Sequence, residues 1–259
     1  MKAYILCDYE GTTGTVAWDD EENALGAEAM AGDVNATIEG LRQGGFTEFV
    51  VRDYHAGGRT IRPADIDPEA SLIRGKSTPY PYGLSPDFDA MCFVGAHCMA
   101  GTADGVMAHT MTGDIYELRL NGKPIGEVGG FAYLVGHFGV PMIFVAGDRA
   151  VCEEAKGVIG DVETAVTKIG LARNCAEVFH PTVSRKRITE GALRAAKRVK
   201  EFKPVKCELP CALEVTYRNA DYTDRVFETS GGERISDRTV RIVADTALDA
   251  FRRFERGFQ

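Results

Sequence analysis

No run of apolar residues in this 259-residue chain approaches the roughly 18 that a membrane-spanning helix needs, so no helical span is expected. Positive charge is also short: 30 Lys and Arg stand against 38 Asp and Glu, a formal balance of -8. That deficit argues against nucleic acid or an anionic membrane as partner and favours neutral or cationic small substrates. No charged-then-apolar leader with a small-residue cleavage site opens the chain. A complete disulfide framework is excluded as well, because the seven cysteines (Cys7, Cys92, Cys98, Cys152, Cys175, Cys207 and Cys211) are odd in number and scattered. A reducing cytoplasm is the expected location, and the Asn35-Ala36-Thr37 sequon is then accidental. Cys207 and Cys211 lack a second pair at zinc-finger spacing and read as packing residues.

Common catalytic shorthand is missing too. There is no H-E-x-x-H helix, G-x-S-x-G elbow or G-x-G-x-x-G turn, and Arg74-Gly75-Lys76-Ser77 copies the end of a phosphate loop but has Ala70 where its first glycine is required. No internal repeat or low-complexity segment stands out. Whatever chemistry the chain performs is built from separated positions. Hydrophobic residues at 44% and charged residues at 26% describe an ordinary globular protein with enough chain to bury a core.

What is present starts at the first fourteen residues, MKAYILCDYEGTTG. Lys2 to Tyr9 has the length and apolar content of a buried strand and runs straight into a Gly- and Thr-rich loop. In extended backbone, residues two apart project to one face, so Asp8 and Glu10 would converge while Tyr9 turns away. Converging acids repel unless something positive lies between them, and a metal ion answers that need. Exposed acids beside a turn are the other reading of this stretch alone.

Further along, Val34, Ile38 and Leu41 repeat at helical spacing after an acidic, Ala-rich stretch from Asp19 to Ala29, and Gly44-Gly45 ends that helix. A second strand, Phe49 to Val51, leads to His55; a Pro-rich connection with Pro79, Pro81 and Pro86 leads to a third, Ala90 to Gly95, followed by His97. Ile115 to Leu120 with Asn121-Gly122 reads as a hairpin returning to Glu127, then a helix from Phe131 to Phe138 and a strand from Pro141 to Ala146. The remainder alternates: a helix at 151–158, a strand at 162–168, a long basic helix from Pro181 to about Phe202, strands at 212–217 and 239–243, and a closing helix from Ala247 to Phe258. The expected fold is α/β, a mostly parallel sheet flanked by helices with the site at the carboxyl ends of its strands. Residues 1–160 would form the metal-binding catalytic domain and 161–259 a smaller α/β lobe, either separate from it or continuous with it.

Three strands thus end in metal-competent side chains: Asp8 with Glu10, His55, and His97. Adding Glu127 gives five oxygen or imidazole donors, with His109 nearby in the polar loop GVMAHT. Zinc, manganese and cobalt accept that set, zinc most strongly in general. Five ligands exceed one tetrahedral catalytic zinc, whereas two metals about 3.5–4 Å apart share a bridging carboxylate, for which Asp8 is the candidate. His137 and His180 have no acidic neighbours and read as structural.

The motifs DYEGTTG at 8–14, DVNATIEG at 33–40, VVRDYH at 50–55, FVGAHCMAG at 93–101, GVMAHT at 105–110, LNGKPIGEVG at 120–129 and GVPMIFVAGD at 139–148 resemble the DppA-type D-aminopeptidases, a family of binuclear zinc peptidases. A weaker likeness continues in DRTVRIVAD at 237–245. The resemblance implies that Asp8, Glu10, His55, His97 and Glu127 are zinc ligands and that His109 is the catalytic histidine, acting as a nucleophile or, as favoured here, as an acid or electrostatic group. It implies aminopeptidase action on short peptides with N-terminal D-residues and assembly into a ten-subunit ring. The chain departs from the family pattern at Gly130-Phe131-Ala132, Arg149, Asp33 and Gly231-Gly232, which bears on substrate preference and assembly contacts. A metal-dependent amidase of another substrate and a non-catalytic metal-binding assembly protein are the alternatives.

Overall fold

The computed structural model describes residues 1–20, 25–76 and 80–258. Part of the acidic stretch (residues 21–24), Ser77 of the phosphate-loop look-alike and Pro79 of the Pro-rich connection lie outside the described residues. In chain order the elements are β1 (Lys2–Cys7), α1 (Leu25–Gln43), β2 (Glu48–Asp53), β3 (Ala70–Ile73), β4 (Ala90–Ala96), β5 (Ile115–Leu120), β6 (Lys123–Pro124), α2 (Glu127–His137) and β7 (Met142–Asp148). They continue with α3 (Arg149–Ile159), β8 (Glu163–Ala172), β9 (Cys175–Val178), α4 (Pro181–Lys197), β10 (Cys211–Tyr217), α5 (Ala220–Ser230), β11 (Glu233–Ser236), β12 (Thr239–Ala244) and α6 (Ala247–Glu255).

Seven strands form one sheet in the order β3-β2-β1-β4-β7-β8-β9, parallel except for the β8–β9 pair. The central strands are apolar throughout because both faces are covered, the signature of parallel sheets. On one face Ala3, Ile5, Cys7 and Val94 pack against α1 and α4. On the other, Tyr4, Leu6, Phe93 and Val145 pack against α2, α3, α6 and the second sheet, a five-stranded antiparallel layer in the order β11-β12-β10-β5-β6. The sheets do not divide at residue 160: β8 and β9 extend the parallel sheet, while the Asn121-Gly122 hairpin joins the C-terminal strands. The connection before Pro79 also holds a strand, β3, whose four half-exposed residues leave little periodic signal. The helix expected from Phe131 starts earlier, at Glu127, and the basic helix ends at Lys197.

Strand order reverses between β1 and β4, since successive strands leave that pair in opposite directions. Such a switch point opens a crevice at the carboxyl ends of the strands. Here the two backbones come unusually close: Gly11 donates to the Gly95 carbonyl at 2.8 Å, and Asp8 to Val94 at 2.9 Å. Gly95 has φ +70, and a Cβ there would lie 2.0 Å from the Asp8 carbonyl oxygen. Only glycine fits both the conformation and the gap. Gly95→Ala is therefore expected to destabilise the protein by about 3 kcal/mol or more, read by urea unfolding, since strain and overlap add; an unfolding free energy within 1 kcal/mol of the parent would refute this account.

Candidate metal centre

Asp8 and Glu10 converge, but not by strand alternation. β1 stops at Cys7, and Tyr9 to Thr12 form a turn closed by the Thr12 amide donating to the Tyr9 carbonyl at 3.0 Å. Between the two acids in the chain, the Tyr9 hydroxyl donates to Ala17 O and its ring packs beside His55. The loop that follows is held from beneath by the fully buried Lys168, whose Nζ donates to the carbonyls of Glu10, Thr12 and Thr15. Burial lowers that ammonium to about 8. Thr167 adds a hydrogen bond to Gly11 O, and Asp33 of α1 accepts from the amide and hydroxyl of Thr13, both at 2.8 Å. Asp33, a departure noted in the sequence, thus ties the first helix to the ligand loop.

Around this loop the structure brings together all five predicted donors and His109. His55 Nδ1 lies 3.3 Å from Asp8 Oδ1 and 3.5 Å from Glu10 Oε2. His97 Nε2 lies 3.5 Å from Asp8 Oδ2 and 3.2 Å from Glu127 Oε1. His109 Nε2 lies 3.7 Å from Glu10 Oε1, and its ring stacks on that of His97 at 4.1 Å. Glu127 is the first residue of α2, where the helix dipole favours an anion. His97 hangs from the end of β4, and the His109 loop is pinned to the end of β7 by the Val106 amide donating to Asp148. His137 and His180 lie elsewhere, on the last turn of α2 and at the N-cap of α4.

Three carboxylates here are at most 3% exposed, a costly arrangement without a cation. Burial works against a charge on His55, yet the hydrogen bonds and charges of Asp8 and Glu10 outweigh it and raise the ring to about 11. His97 is likewise raised against burial by Glu127 and Asp8, and Glu10 is held low against burial by the three histidines. The histidines are standing in for positive charge that the acids demand. The donor chemistry fits a metal better than a proton does: Glu10 Oε2 and His97 Nε2 are buried without a well-formed hydrogen bond. His97 Nδ1 lies 3.1 Å from the Cys98 carbonyl, which can only accept, so Nδ1 carries a hydrogen and Nε2, facing the acids, is the nitrogen that would exchange its proton for a metal. Among the described residues three triplets have candidate ligand atoms within 4.8 Å of one another: Asp8-Glu10-His55, Asp8-His97-Glu127 and Glu10-His97-His109.

The cluster opens on a cavity of 520 Å³, a size suited to a small ligand, walled by Trp18, Tyr54, Tyr80, Tyr82, Met111 and Phe254, with Arg52, Lys76 and Glu255 among its polar groups. Sequence reasoning missed all of these wall residues. Trp18, the chain's one tryptophan, donates to Glu10 Oε1 at 3.3 Å and meets His109 edge-on. The Met111 amide donates to Glu127 Oε1 at 2.7 Å. Trp18, as a lone aromatic in a Gly- and Thr-rich loop, carried some signal; Met111 and the C-terminal Phe254 carried none.

A model of the family described as Peptidase_M55, D-aminopeptidase, matches residues 1–256. A D-aminopeptidase of Bacillus subtilis (strain 168) is 29% identical over 97% of this chain and 94% of its own length. The solved structure of the Zn-dependent D-aminopeptidase DppA from Bacillus subtilis, a self-compartmentalizing protease, superposes with a TM-score of 0.94 at 28% identity, covering 100% of this chain and 98% of the other.

Burial raises the Asp33 carboxyl to about 6 although Thr13 opposes the shift. The folded state therefore holds its proton more tightly than the unfolded chain, and this contribution to stability is full below about pH 4 and lost as pH rises through 6. Asp33→Asn has no proton to lose. The stability difference, parent minus variant, should fall by about 3 kcal/mol between pH 4 and 7.5 in urea titrations; a flat difference would show that Asp33 titrates normally.

Proposed function

The chain belongs to the D-aminopeptidase family of peptidases, and from that membership we propose that its strand-end cluster is a two-metal centre that releases N-terminal D-residues from short peptides. The protein is a peptide hydrolase; the metal count and residue roles are the proposal. One observation carries it: the two oxygens of Asp8 face different histidines, and each histidine has its own second carboxylate, Glu10 for His55 and Glu127 for His97. That is the donor layout of two adjacent sites sharing Asp8, with zinc as the metal suited to it. When bound, such a pair supplies a water of pKa near 7 and a polarised scissile carbonyl.

The chain's own groups do the rest. With the centre loaded, a free α-amine would bind there through its nitrogen lone pair, which selects the peptide N-terminus. The 520 Å³ cavity admits a short peptide and its aromatic walls exclude bulk water. His109 Nδ1 is committed to the Met107 carbonyl at 2.9 Å, so proton exchange falls to Nε2, which faces the cavity beside Glu10. As the C–N bond breaks, Nε2 delivers its proton to the departing amine nitrogen.

Assembly into a ten-subunit ring is part of the proposal, supported by the self-compartmentalizing description of the Bacillus subtilis relative. Light scattering should give tenfold the 28.1 kDa chain mass. A cytoplasmic, reducing location is supported by seven free cysteines, five of them buried; no helix among the described residues is long and apolar enough to cross a membrane.

Purified protein should cleave D-aminoacyl para-nitroanilides in preference to L-, lose that activity to chelator, and carry two metals per chain by mass spectrometry, as a shared-carboxylate pair requires. His109→Ala should lower turnover by about a hundredfold or more with metal content unchanged. Full metal without cleavage would point to another amide, and loss of metal with His109 would make it a ligand.

A further inference from the structure

We propose that Arg52 anchors a carboxylate at the far end of the substrate, so that this site takes short peptides with a free C-terminus. The inference rests on the peptidase reading above and adds the group that recognises the other end of the ligand.

Arg52 sits on β2 three residues before His55, between Val50 and Tyr54, whose side chains pack on the apolar Tyr4, Leu6 and Phe93 face. An arginine on such a stripe is buried, at 3% exposure, and its Nε and Nη1 have no hydrogen-bond partner. Among the described residues no carboxylate lies within 4.0 Å of the guanidinium. Leaving buried charged donors unmatched is expensive unless a ligand completes them. The nearby acid is already engaged: Glu255 accepts from the Tyr80 amide and the Tyr82 hydroxyl, and feels Arg52 only at longer range. Arg52 instead stacks over the Tyr82 ring at 5.2 Å, which fixes the plane of its fork.

The guanidinium lines the same cavity as the acid-histidine cluster, with exposed Lys76 as a second cation at its margin. Between Arg52 and Glu127 lies a layer of side chains: Tyr82 and Tyr54 with rings 6.0 Å apart, Tyr54 donating to Met111 Sδ, and the Met111 amide on Glu127. One cavity therefore has the acid-histidine cluster at one end, an aromatic middle, and Arg52 and Lys76 with the engaged Glu255 at the other. A short peptide with both ends free matches all three, its amine nitrogen toward the loaded cluster and its carboxylate toward Arg52. Nη2 shares one edge of this planar group with Nε and the other with Nη1, so a carboxylate can pair with Nη2 and either of the two unpartnered donors in a bidentate manner.

The test compares D-alanyl-D-alanine with its C-terminal amide, which differs only in that charge. For the metal-loaded protein the acid should show a KM about ten- to hundredfold lower than the amide, the worth of a buried charged hydrogen bond. Arg52→Gln should bring the two KM values within about threefold, and Arg52→Lys should restore part of the gap. Calorimetric titration of both ligands into metal-loaded His109→Ala protein reads the same ratio as affinity without relying on turnover. Equal values for acid and amide in the parent protein, by either method, would overturn the proposal even if Arg52→Gln fails to fold. So would an Arg52→Gln protein whose kcat falls equally on both ligands with the KM ratio kept, the pattern of an arginine that only balances Glu255. Discrimination in binding without cleavage of either ligand would keep Arg52 and instead refute the peptidase reading.

Discussion

Three carboxylates withdrawn from water within reach of the same histidines are the constraint on which the rest of this structure depends. Asp8, Glu10 and Glu127 are each nearly fully buried, and the chain offers them imidazole rather than Lys or Arg as neighbours. Among the described residues the one buried ammonium nearby, Lys168, is spent on backbone carbonyls of the loop, not on the acids. A fixed lysine paired to a carboxylate would compete with a metal for it. By binding carbonyls, Lys168 gives the loop rigidity and leaves the carboxylate oxygens available.

Holding such a cluster against its own repulsion requires backbone that cannot relax. The meeting of β1 and β4 at the switch point supplies it, since Gly11 and Gly95 let the two strand ends interlock where any side chain would force them apart. Asp8 follows one strand and His97 the other, so the spacing of these two side chains is set by main-chain hydrogen bonds and not by side-chain flexibility alone. Asp33 extends this rigidity to α1 through Thr13, and Asp148 does the same for the His109 loop through Val106.

The second sheet and α6 serve a different end. They cover the Tyr4 and Phe93 face of the large sheet. Helix α6 also lends Phe254 and Glu255 to a cavity whose other walls, Trp18, Tyr54, Tyr80, Tyr82 and Met111, come like the acid-histidine cluster from the first 127 residues. Arg52 is a residue of the large sheet pointing into a space completed by the C-terminal helix.

By itself the sequence determined the α/β class, the strand-end placement of Asp8, His55 and His97, the Asn121-Gly122 hairpin, and which acids and histidines gather there, because buried strands, turn residues and strand-end positions are local properties that spacing records. Even the reason for one correct expectation was not local: Asp8 and Glu10 converge through a turn beyond Cys7 and not through strand alternation. Only the tertiary structure decided that β5 and β6 leave the large sheet to join the C-terminal strands, that Glu127 opens a helix, and that Trp18, Met111, Tyr82 and Glu255 wall one cavity with Arg52 inside it. Those are contacts between residues up to about two hundred positions apart, set by which faces the two sheets bury against each other, and no window along the chain contains both partners.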